Sequence, residues 1–209
     1  DVIPVPETVT STVEEIKGEN FVVVERVKGE SAETDINPER VRNAGITLAK
    51  IHDYTELPYE GHIKNSGEKV NSEDLIVKGF EEDSLKRRKL DDMYTDKIPL
   101  LRENGFGEVA EAVEEFLKSN EDIFPESFTA TVSHRDFSPN NIIYQGSELN
   151  GVIDFDFMIA GLDVRDLVKA ANSFWMHDPD SWNVREHFYK GYKEERMLPQ
   201  NFEEYEKFF

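Results

Sequence analysis

Residues 132–156 read VSHRDFSPNNIIYQGSELNGVIDFD, and this stretch decides the fold of the chain. Asp136 closes the triplet His-Arg-Asp, and Asn141 follows five positions later. Two short apolar runs then flank a group of turn residues, and the second run ends at Asp154. Because apolar runs separated by Gly and Asn are typical of hairpins, we predict a strand, a loop and a β-hairpin that bring Asp136, Asn141 and Asp154 together.

The three side chains suit a magnesium-dependent phosphoryl transfer. Mg²⁺ prefers oxygen ligands, and at phosphate sites it takes only one or two of them from the protein. The Asn141 amide oxygen and the Asp154 carboxylate are the predicted ligands, and Asp136 is predicted to receive the proton of an attacking hydroxyl. The alternative is a surface turn in which Asp136 and Asn141 cap backbone groups, but it leaves the position of Asp154 unexplained.

The stretch resembles the catalytic core of the protein-kinase-like superfamily, in its small-molecule branch of aminoglycoside phosphotransferase and choline kinase type families. The triplet at 134–136 with Asn141 matches the catalytic loop, and Asp154 lies 18 positions after Asp136, where the superfamily has its metal-binding Asp. The resemblance implies an α+β, protein-kinase-like fold with a mostly helical C-lobe. It also implies ATP and Mg²⁺ as cofactors, Asp136 and His134 as catalytic-loop residues, and Asn141 and Asp154 as metal ligands.

Other residues near the loop have roles that are structural or open in this resemblance. His134 is expected to orient the loop, and Asp166 is expected to anchor it by accepting backbone hydrogen bonds. Asp156 either contacts metal or substrate or caps the following turn. Arg135 either contacts an acidic or phosphorylated group or forms a local salt bridge.

Three features favour the small-molecule branch over the protein kinases. Asp156 stands where protein kinases have the Gly of Asp-Phe-Gly, and Ser138 stands where Ser/Thr protein kinases have a catalytic lysine. No Ala-Pro-Glu segment follows, and a helix is predicted almost at once. The chain departs from the small-molecule pattern at Arg135, where Gly is commoner, and at residues 162–164, which lack a Pro.

Residues 21–29, FVVVERVKG, resemble the last N-lobe strand and the hinge of the same superfamily. The resemblance implies that the Glu25 carbonyl and the Val27 amide hydrogen-bond adenine. It divides the chain into residues 1–28, the end of a β-rich N-lobe with the hinge, and residues 29–209, the C-lobe. Nothing before Val22 resembles the phosphate loop or the phosphate-binding lysine, so we expect that an N-terminal segment is missing and that the chain alone is inactive or nearly so.

Hydrophobic periodicity predicts a mainly helical body after the β-rich start. Asn37-Pro38-Glu39 signals a helix start, with a capping side chain, Pro at the first helical position and an acid in the first turn. Polar, turn-rich residues predict a loop over 53–71, and a charged periodic pattern predicts helix over most of 72–122. Amphipathic helices are predicted at 38–52, 108–119, 162–175, 182–196 and 200–209.

The composition bounds the class of protein. The 209 residues are 38% hydrophobic and 11% aromatic, enough to bury a core, and include no cysteine. No run approaches the roughly 18 apolar residues of a membrane span, and the start of the chain lacks a signal-peptide pattern. The net charge of -20 repels nucleic acid and anionic membranes, and it serves either solubility or the attraction of a cationic substrate. We predict a cytoplasmic protein with no nucleic-acid or membrane partner and leave its oligomeric state open.

The main hypothesis is an ATP-dependent phosphotransferase that moves the γ-phosphate to a hydroxyl of a small, cationic molecule, such as an aminoglycoside, choline or an amino sugar. The alternative is a nucleotide-binding pseudokinase or scaffold without turnover. A protein-phosphorylating kinase is disfavoured because the activation segment is missing. The histidines other than His134 lack the spacing of metal ligands, so a histidine metal site is not predicted.

Overall fold

The helix predicted from Asn37-Pro38-Glu39 is present at Pro38–His52 (α1). The Asn37 side chain accepts the Arg40 N–H at 3.1 Å and so satisfies one of the free amides of the first turn. The structure, a computed structural model, describes residues 3–9, 14–16, 19–21, 23–57, 60–65, 75–79, 90–123, 128–178 and 183–209.

The helices after α1 lie close to their predicted positions. A π-helical turn at Met93–Lys97 leads without a break into the next helix, and Pro99 is the second residue of that helix. From residue 107 onward, each observed helix end lies within two residues of the predicted one. These helices are Ile98–Glu103 (α2), Gly107–Ser119 (α3), Asp163–His177 (α4), Asn183–Glu195 (α5) and Phe202–Phe208 (α6).

Helices α1 and α5 form the most extensive contact between described elements, and two glycines allow it. A Cβ on Gly45 would lie 2.1 Å from the Phe188 carbonyl oxygen of α5. A Cβ on Gly191 would lie 1.9 Å from the Arg42 carbonyl oxygen of α1. The backbones are therefore too close for any side chain at these two positions.

Gly191→Ala is expected to lower the free energy of unfolding by about 1–3 kcal/mol, because the added methyl group collides with backbone rather than with a movable side-chain end. Urea unfolding followed by circular dichroism measures the change. Gly107→Ala is the matched control, since nothing lies within 4 Å of its added Cβ and alanine is the better helix former. Equal stability of the two variants would contradict the close packing of α1 and α5.

The described strands form three antiparallel sheets, ordered β1-β2, β3-β8-β9 and β4-β7-β10-β5-β6. The five-stranded sheet joins segments far apart in sequence. The strands are Glu14–Ile16 (β1), Glu19–Phe21 (β2), Glu30–Ser31 (β3), Glu56–Leu57 (β4), Gly61–Asn65 (β5), Leu75–Gly79 (β6), Ala130–Ser133 (β7), Ile142–Gln145 (β8), Glu148–Val152 (β9) and Ile159–Gly161 (β10).

The loop predicted over 53–71 is wrong at Glu56–Leu57 and Gly61–Asn65, and the helix predicted over 72–122 is wrong at Leu75–Gly79, because all three segments are strands. Strands β5 and β6 pair over five residues, from Gly61 opposite Gly79 to Asn65 opposite Leu75. The β6 sequence LIVKG includes Ile and Val, whose branched side chains favour a strand once a partner strand is available. The hydrophobic pattern of residues 75–79 does not indicate that β5 is the partner strand. Loop residues 58–59 and 66–71 of this prediction, and helix residues 72–74 and 80–89, lie outside the described residues.

The predicted hairpin of the key stretch is confirmed as β8 and β9, with Ile142 opposite Val152. The β-rich start is confirmed in its described parts, where β1 pairs with β2 and Thr8 pairs with Val24. The first described residues also reach the hairpin, because the Val152 N–H donates to the Pro4 carbonyl at 2.8 Å.

The main core lies among α1, α4, α5 and the strands β7 to β9. The loop from 134 to 141 connects β7 to β8 at the edge of this core, and Phe137, only 2% exposed, fixes the middle of the loop there. The core therefore holds the loop from 134 to 141 through Phe137. In the described ranges, no helix combines the length and the apolar character needed to cross a bilayer.

Candidate active site

The predicted catalytic loop is anchored by Asp166, in the first turn of α4. The His134 and Arg135 N–H groups each donate to one Asp166 carboxylate oxygen at 2.8 Å. Asp166 is only 4% exposed, so these hydrogen bonds are shielded from water. The predicted anchoring role of Asp166 is thus confirmed.

The loop backbone is strained where it meets this anchor. Arg135 has φ 67°, a left-handed conformation that costs a residue with a Cβ about 1–2 kcal/mol. Its peptide groups are held from two sides, because Asp166 accepts its N–H and the Lys169 ammonium donates to its carbonyl. Strain that the surroundings enforce in this way is characteristic of functional sites.

His52 and Tyr192 hold the Asp166 carboxylate in place through a chain of hydrogen bonds. His52 Nε2 lies 3.2 Å from Asp166 Oδ2, and its Nδ1 lies 2.8 Å from the Tyr192 hydroxyl. Burial raises the pKa of Tyr192, so its hydroxyl keeps the proton that it donates to Nδ1 when Nε2–H donates to Asp166. Sequence patterns missed this role of His52. The available signal was its position four residues after Leu48, on the apolar face of α1.

The charge of Asp166 follows from these contacts. Burial by itself would raise the pKa of the carboxyl group, but the hydrogen bond from His52, the charge interactions with His52 and His134, and the Arg135 N–H together lower the pKa. Asp166 therefore remains a carboxylate that accepts from every neighbour. This state matches the three donors around it, the His134 and Arg135 N–H groups and His52.

His134 uses both ring nitrogens to hold the loop. The Asp136 N–H donates to Nδ1 at 3.3 Å, so Nδ1 is an acceptor, and Nε2 lies 3.1 Å from the Ile153 carbonyl, to which its hydrogen donates. Burial lowers the pKa of His134 despite the nearby carboxylates, which keeps the ring neutral. With both nitrogens occupied by backbone, the ring positions the loop, as the resemblance implies.

Because the pKa of folded His134 lies below its ordinary value of 6.5, unfolding takes up a proton as the pH falls through 6.5. Folding stability contributed by neutral His134 is therefore present above pH 6.5 and declines below it, by at most about 1.4 kcal/mol per pH unit. Urea unfolding at pH 7.5 and 5.5 measures this slope. His134→Asn is expected to reduce the acid loss, whereas His177→Asn, an exposed control, keeps it. Equal slopes in the two variants would contradict the assignment.

Asp136 and Asn141 form a joined pair. Asn141 Nδ2 donates to the Asp136 carbonyl at 2.9 Å and to Asp136 Oδ2 at 3.0 Å. The side chain of Asp136 is 40% exposed, so its carboxylate is held in position yet remains open to a substrate. Its other oxygen, Oδ1, lies 4.0 Å from the Lys169 ammonium, a neighbour that sequence patterns did not indicate.

The predicted metal ligands, Asn141 and Asp154, lie on two segments that a backbone hydrogen bond joins. The Ile153 N–H donates to the Asn141 carbonyl at 2.9 Å, which places Asp154 next in the chain beside the loop. Because Asn141 Nδ2 is used by Asp136, its Oδ1 is the atom left for a cation. Asp154 is exposed and has φ 64°.

This donor set fits Mg²⁺ bound together with phosphate, because such a site needs only one or two protein oxygens. No group of three or more His, Asp or Glu residues with metal-binding geometry exists within the residues that the structure describes. A metal held by protein alone is therefore not indicated there. Asp156 is exposed two positions after Asp154, and its two interpretations stay open.

Two of the residues predicted to form the hinge, Val27 and Lys28, lie against the hairpin of β8 and β9. The Glu25 N–H donates to the Glu7 carbonyl at 2.8 Å, and the Lys28 carbonyl accepts from Asn150 at 2.7 Å. Gly151 leaves room for Val27, since a Cβ there would lie 2.6 Å from a Val27 methyl carbon. The adenine contacts of Glu25 and Val27 stay a prediction.

A cavity of about 680 Å³ in the described region borders residues 132 and 155, next to the predicted site residues. Phe155, Val132 and Met158 form one wall, and Ile3 and Val5 contribute to another. Its lining is mostly apolar and includes none of Asp136, Asn141 and Asp154. Phosphate groups would find few hydrogen-bond donors there, so this cavity does not fit the predicted phosphoryl transfer.

Solved structures share the fold. A spectinomycin phosphotransferase in complex with ADP and spectinomycin matches with a TM-score of 0.62 at 12% identity, covering 99% of this chain and 63% of that one. An aminoglycoside-3'-phosphotransferase of type VIII matches with a TM-score of 0.57 at 16% identity, covering 98% and 72%. The chain therefore has the fold of the protein-kinase-like superfamily, and the predicted α+β fold is confirmed.

Sequence comparison narrows the class. The model of the APH phosphotransferase enzyme family matches residues 1–205, so the chain belongs to that family. A homoserine kinase from Beijerinckia indica is 30% identical to this chain over 93 residues. A homoserine kinase from Nitrobacter hamburgensis is 33% identical to it over 81 residues. These alignments span 43% and 36% of this chain but only 29% and 24% of those enzymes.

Proposed function

We propose that the chain carries the catalytic and metal-holding part of an ATP-dependent phosphotransferase whose acceptor is a hydroxyl of a small molecule. The observation that carries this proposal is the joined arrangement of Asp136, Asn141 and Asp154. Asn141 hydrogen-bonds Asp136 through its side chain and Ile153 through its backbone. One residue thus sets the position of the proton acceptor relative to the predicted metal ligands.

In the proposed reaction, the acceptor hydroxyl oxygen forms a bond to the γ-phosphorus of ATP while the bond to the β–γ bridging oxygen breaks. The hydroxyl proton passes to Asp136, and the products are a phosphate monoester and ADP. Asp136 aims the hydroxyl because Asn141 fixes its carboxylate. Positioning of this kind is the main protein contribution to phosphoryl transfer.

Asn141 Oδ1 and the Asp154 carboxylate would hold the metal. When bound, Mg²⁺ supplies the charge neutralisation that the phosphate oxygens need. The chain's part is to keep these two ligands in register, which the Ile153 N–H bond to the Asn141 carbonyl does.

The acceptor is proposed to carry an amino group. The net charge of -20 favours a cationic group on the ligand, and the named relatives act on amino compounds, either aminoglycosides or homoserine. The same charge disfavours nucleic acid as a partner, and we propose a cytoplasmic protein. Because the chain spans 62–72% of several related structures, we also propose that these 209 residues alone turn over slowly or not at all.

ADP release by the intact protein across aminoglycosides, choline, amino sugars and homoserine tests the proposal. Acceptor-dependent ADP release with at least one of these compounds is the expected result. Nucleotide binding without any acceptor-dependent release would favour the pseudokinase alternative and contradict the proposed function.

A further inference from the structure

A group of cations lines a narrow crevice beside the catalytic loop. Arg135, Arg165 and Lys169 form its rim, together with residues of β7, β10 and the start of α4. A cluster of three cationic residues is unexpected in this chain, because the chain as a whole carries a net charge of -20. Asp166 also borders the crevice, but its carboxylate accepts from the loop amides and from His52. The cationic rim is therefore a local exception to an acidic surface.

The base of the crevice holds a polar atom without a protein partner. Ser133 is only 2% exposed and lines the crevice, and its hydroxyl has no hydrogen-bond partner among the described residues. A buried hydroxyl in this state costs free energy unless water or a ligand completes it. The free volume of about 10 Å³ is close to the size of a single ligand oxygen.

Arg135 is an unexpected residue at its position. A left-handed residue is least strained when it is Gly or Asn, so an arginine there pays a conformational cost without helping the loop to turn. Its backbone is already held by Asp166 and Lys169. Arg135 lines the crevice, which offers its guanidinium group a role that the loop backbone does not.

The crevice is close to the reacting groups. Lys169 Nζ lies 4.0 Å from Asp136 Oδ1, the carboxylate that is proposed to receive the hydroxyl proton. A hydroxyl and an anionic group about 5–6 Å apart in one small molecule can therefore contact Asp136 and Lys169 together. That separation is typical of a short hydroxy amino acid in an extended conformation.

We propose that Arg135, Lys169 and the Ser133 hydroxyl form a subsite for the carboxylate of the acceptor, which makes the acceptor a small hydroxy amino acid. A planar carboxylate suits a guanidinium group, and one of its oxygens fills the space at Ser133. The negative field of the chain would repel a carboxylate from other parts of the surface, so the cationic rim provides the attraction that binding needs. This inference rests on the proposed function, which places the hydroxyl of the acceptor at Asp136.

The kinetic test compares L-homoserine with 3-aminopropan-1-ol, which is homoserine without its carboxylate. In the intact protein we expect kcat/KM to favour homoserine by at least about tenfold, because charge-assisted hydrogen bonds contribute that much. Arg135→Asn, which suits the left-handed backbone, and Lys169→Met are each expected to reduce this preference by about 10-fold or more. Lys190→Met, on the exposed face of α5, is the control for loss of one positive charge and keeps the preference. Equal use of both compounds by the wild type, or an unchanged preference in both variants, would overturn the subsite.

A binding test separates this subsite from the proposed function. The 209-residue chain is titrated with L-homoserine, 3-aminopropan-1-ol and inorganic phosphate, with chemical shifts of the backbone amides as the readout. Homoserine binding that weakens in Arg135→Asn supports the subsite even if no acceptor releases ADP. Failure of homoserine to bind, or phosphate binding at least as tight at the same residues, would contradict a carboxylate subsite, whatever the turnover shows.

Discussion

Asp136→Asn is expected to lower kcat of the intact protein by about 10²–10⁴-fold, the usual contribution of a positioned proton acceptor. Asparagine has the same shape and can still accept the Asn141 side-chain hydrogen bond through its oxygen. It cannot take up the hydroxyl proton, so the loss falls on the chemical step while the loop geometry is kept. Steady-state ADP release with saturating ATP and acceptor measures the change.

Asp122→Asn is the matched control for this variant, because it removes an exposed carboxylate in a turn outside the catalytic stretch. It is expected to keep wild-type turnover. Wild-type turnover in Asp136→Asn would show that another group handles the proton. A loss of turnover that is matched by a loss of folding stability would instead assign Asp136 a structural role.

Asp166→Ala is expected to lower the free energy of unfolding by about 3–5 kcal/mol, the range seen when one partner of a buried charged network is removed. The carboxylate accepts from two loop amides and from His52, and alanine would leave all of these donors buried without a partner. It would also release the strained conformation of Arg135. Turnover is expected to fall together with stability because the loop carries Asp136.

Urea unfolding monitored by circular dichroism measures this loss, with Asp122→Ala as the control for removal of an exposed acid. Asp122→Ala is expected to change stability by less than about 0.5 kcal/mol. A change of similar size in Asp166→Ala would mean that the loop is held by other contacts.

The central part of the site was predictable because it is local in sequence. Asp136, Asn141 and Asp154 fall within one strand, loop and hairpin, and the hairpin pairing brings their two segments side by side. The anchoring role of Asp166 came from resemblance. His52, Tyr192 and Lys169 were not predictable in the same way, since each takes its place only after α1, α4 and α5 pack together.

The separations of His52, Tyr192 and Asp166 along the chain show why their contacts could not be predicted. Tyr192 lies 140 positions after His52, and His52 lies 114 positions before Asp166, yet the three side chains form one chain of hydrogen bonds. No periodicity within α1, α4 or α5 encodes such a meeting. It depends on the close approach of α1 and α5 that Gly45 and Gly191 allow.

The helices followed their capping and periodic signals, but the strand pair β5 and β6 did not. A five-residue strand has little intrinsic preference, and its backbone hydrogen bonds require a partner that the local pattern does not reveal. β5 is itself paired with β10, which follows the predicted metal ligand Asp154 in sequence. Tertiary pairing thus decided a segment whose polar composition resembled a loop.

Phosphate transfer itself is the most direct test of the account. The intact protein is incubated with ATP, Mg²⁺ and an accepted small molecule, and ³¹P NMR follows the products for the wild type and for Asp154→Asn. We expect a new phosphate monoester signal that appears together with ADP in the wild type and is absent in Asp154→Asn. Release of inorganic phosphate alone, or an equal monoester signal in Asp154→Asn, would contradict a phosphotransferase centre built on Asp136, Asn141 and Asp154.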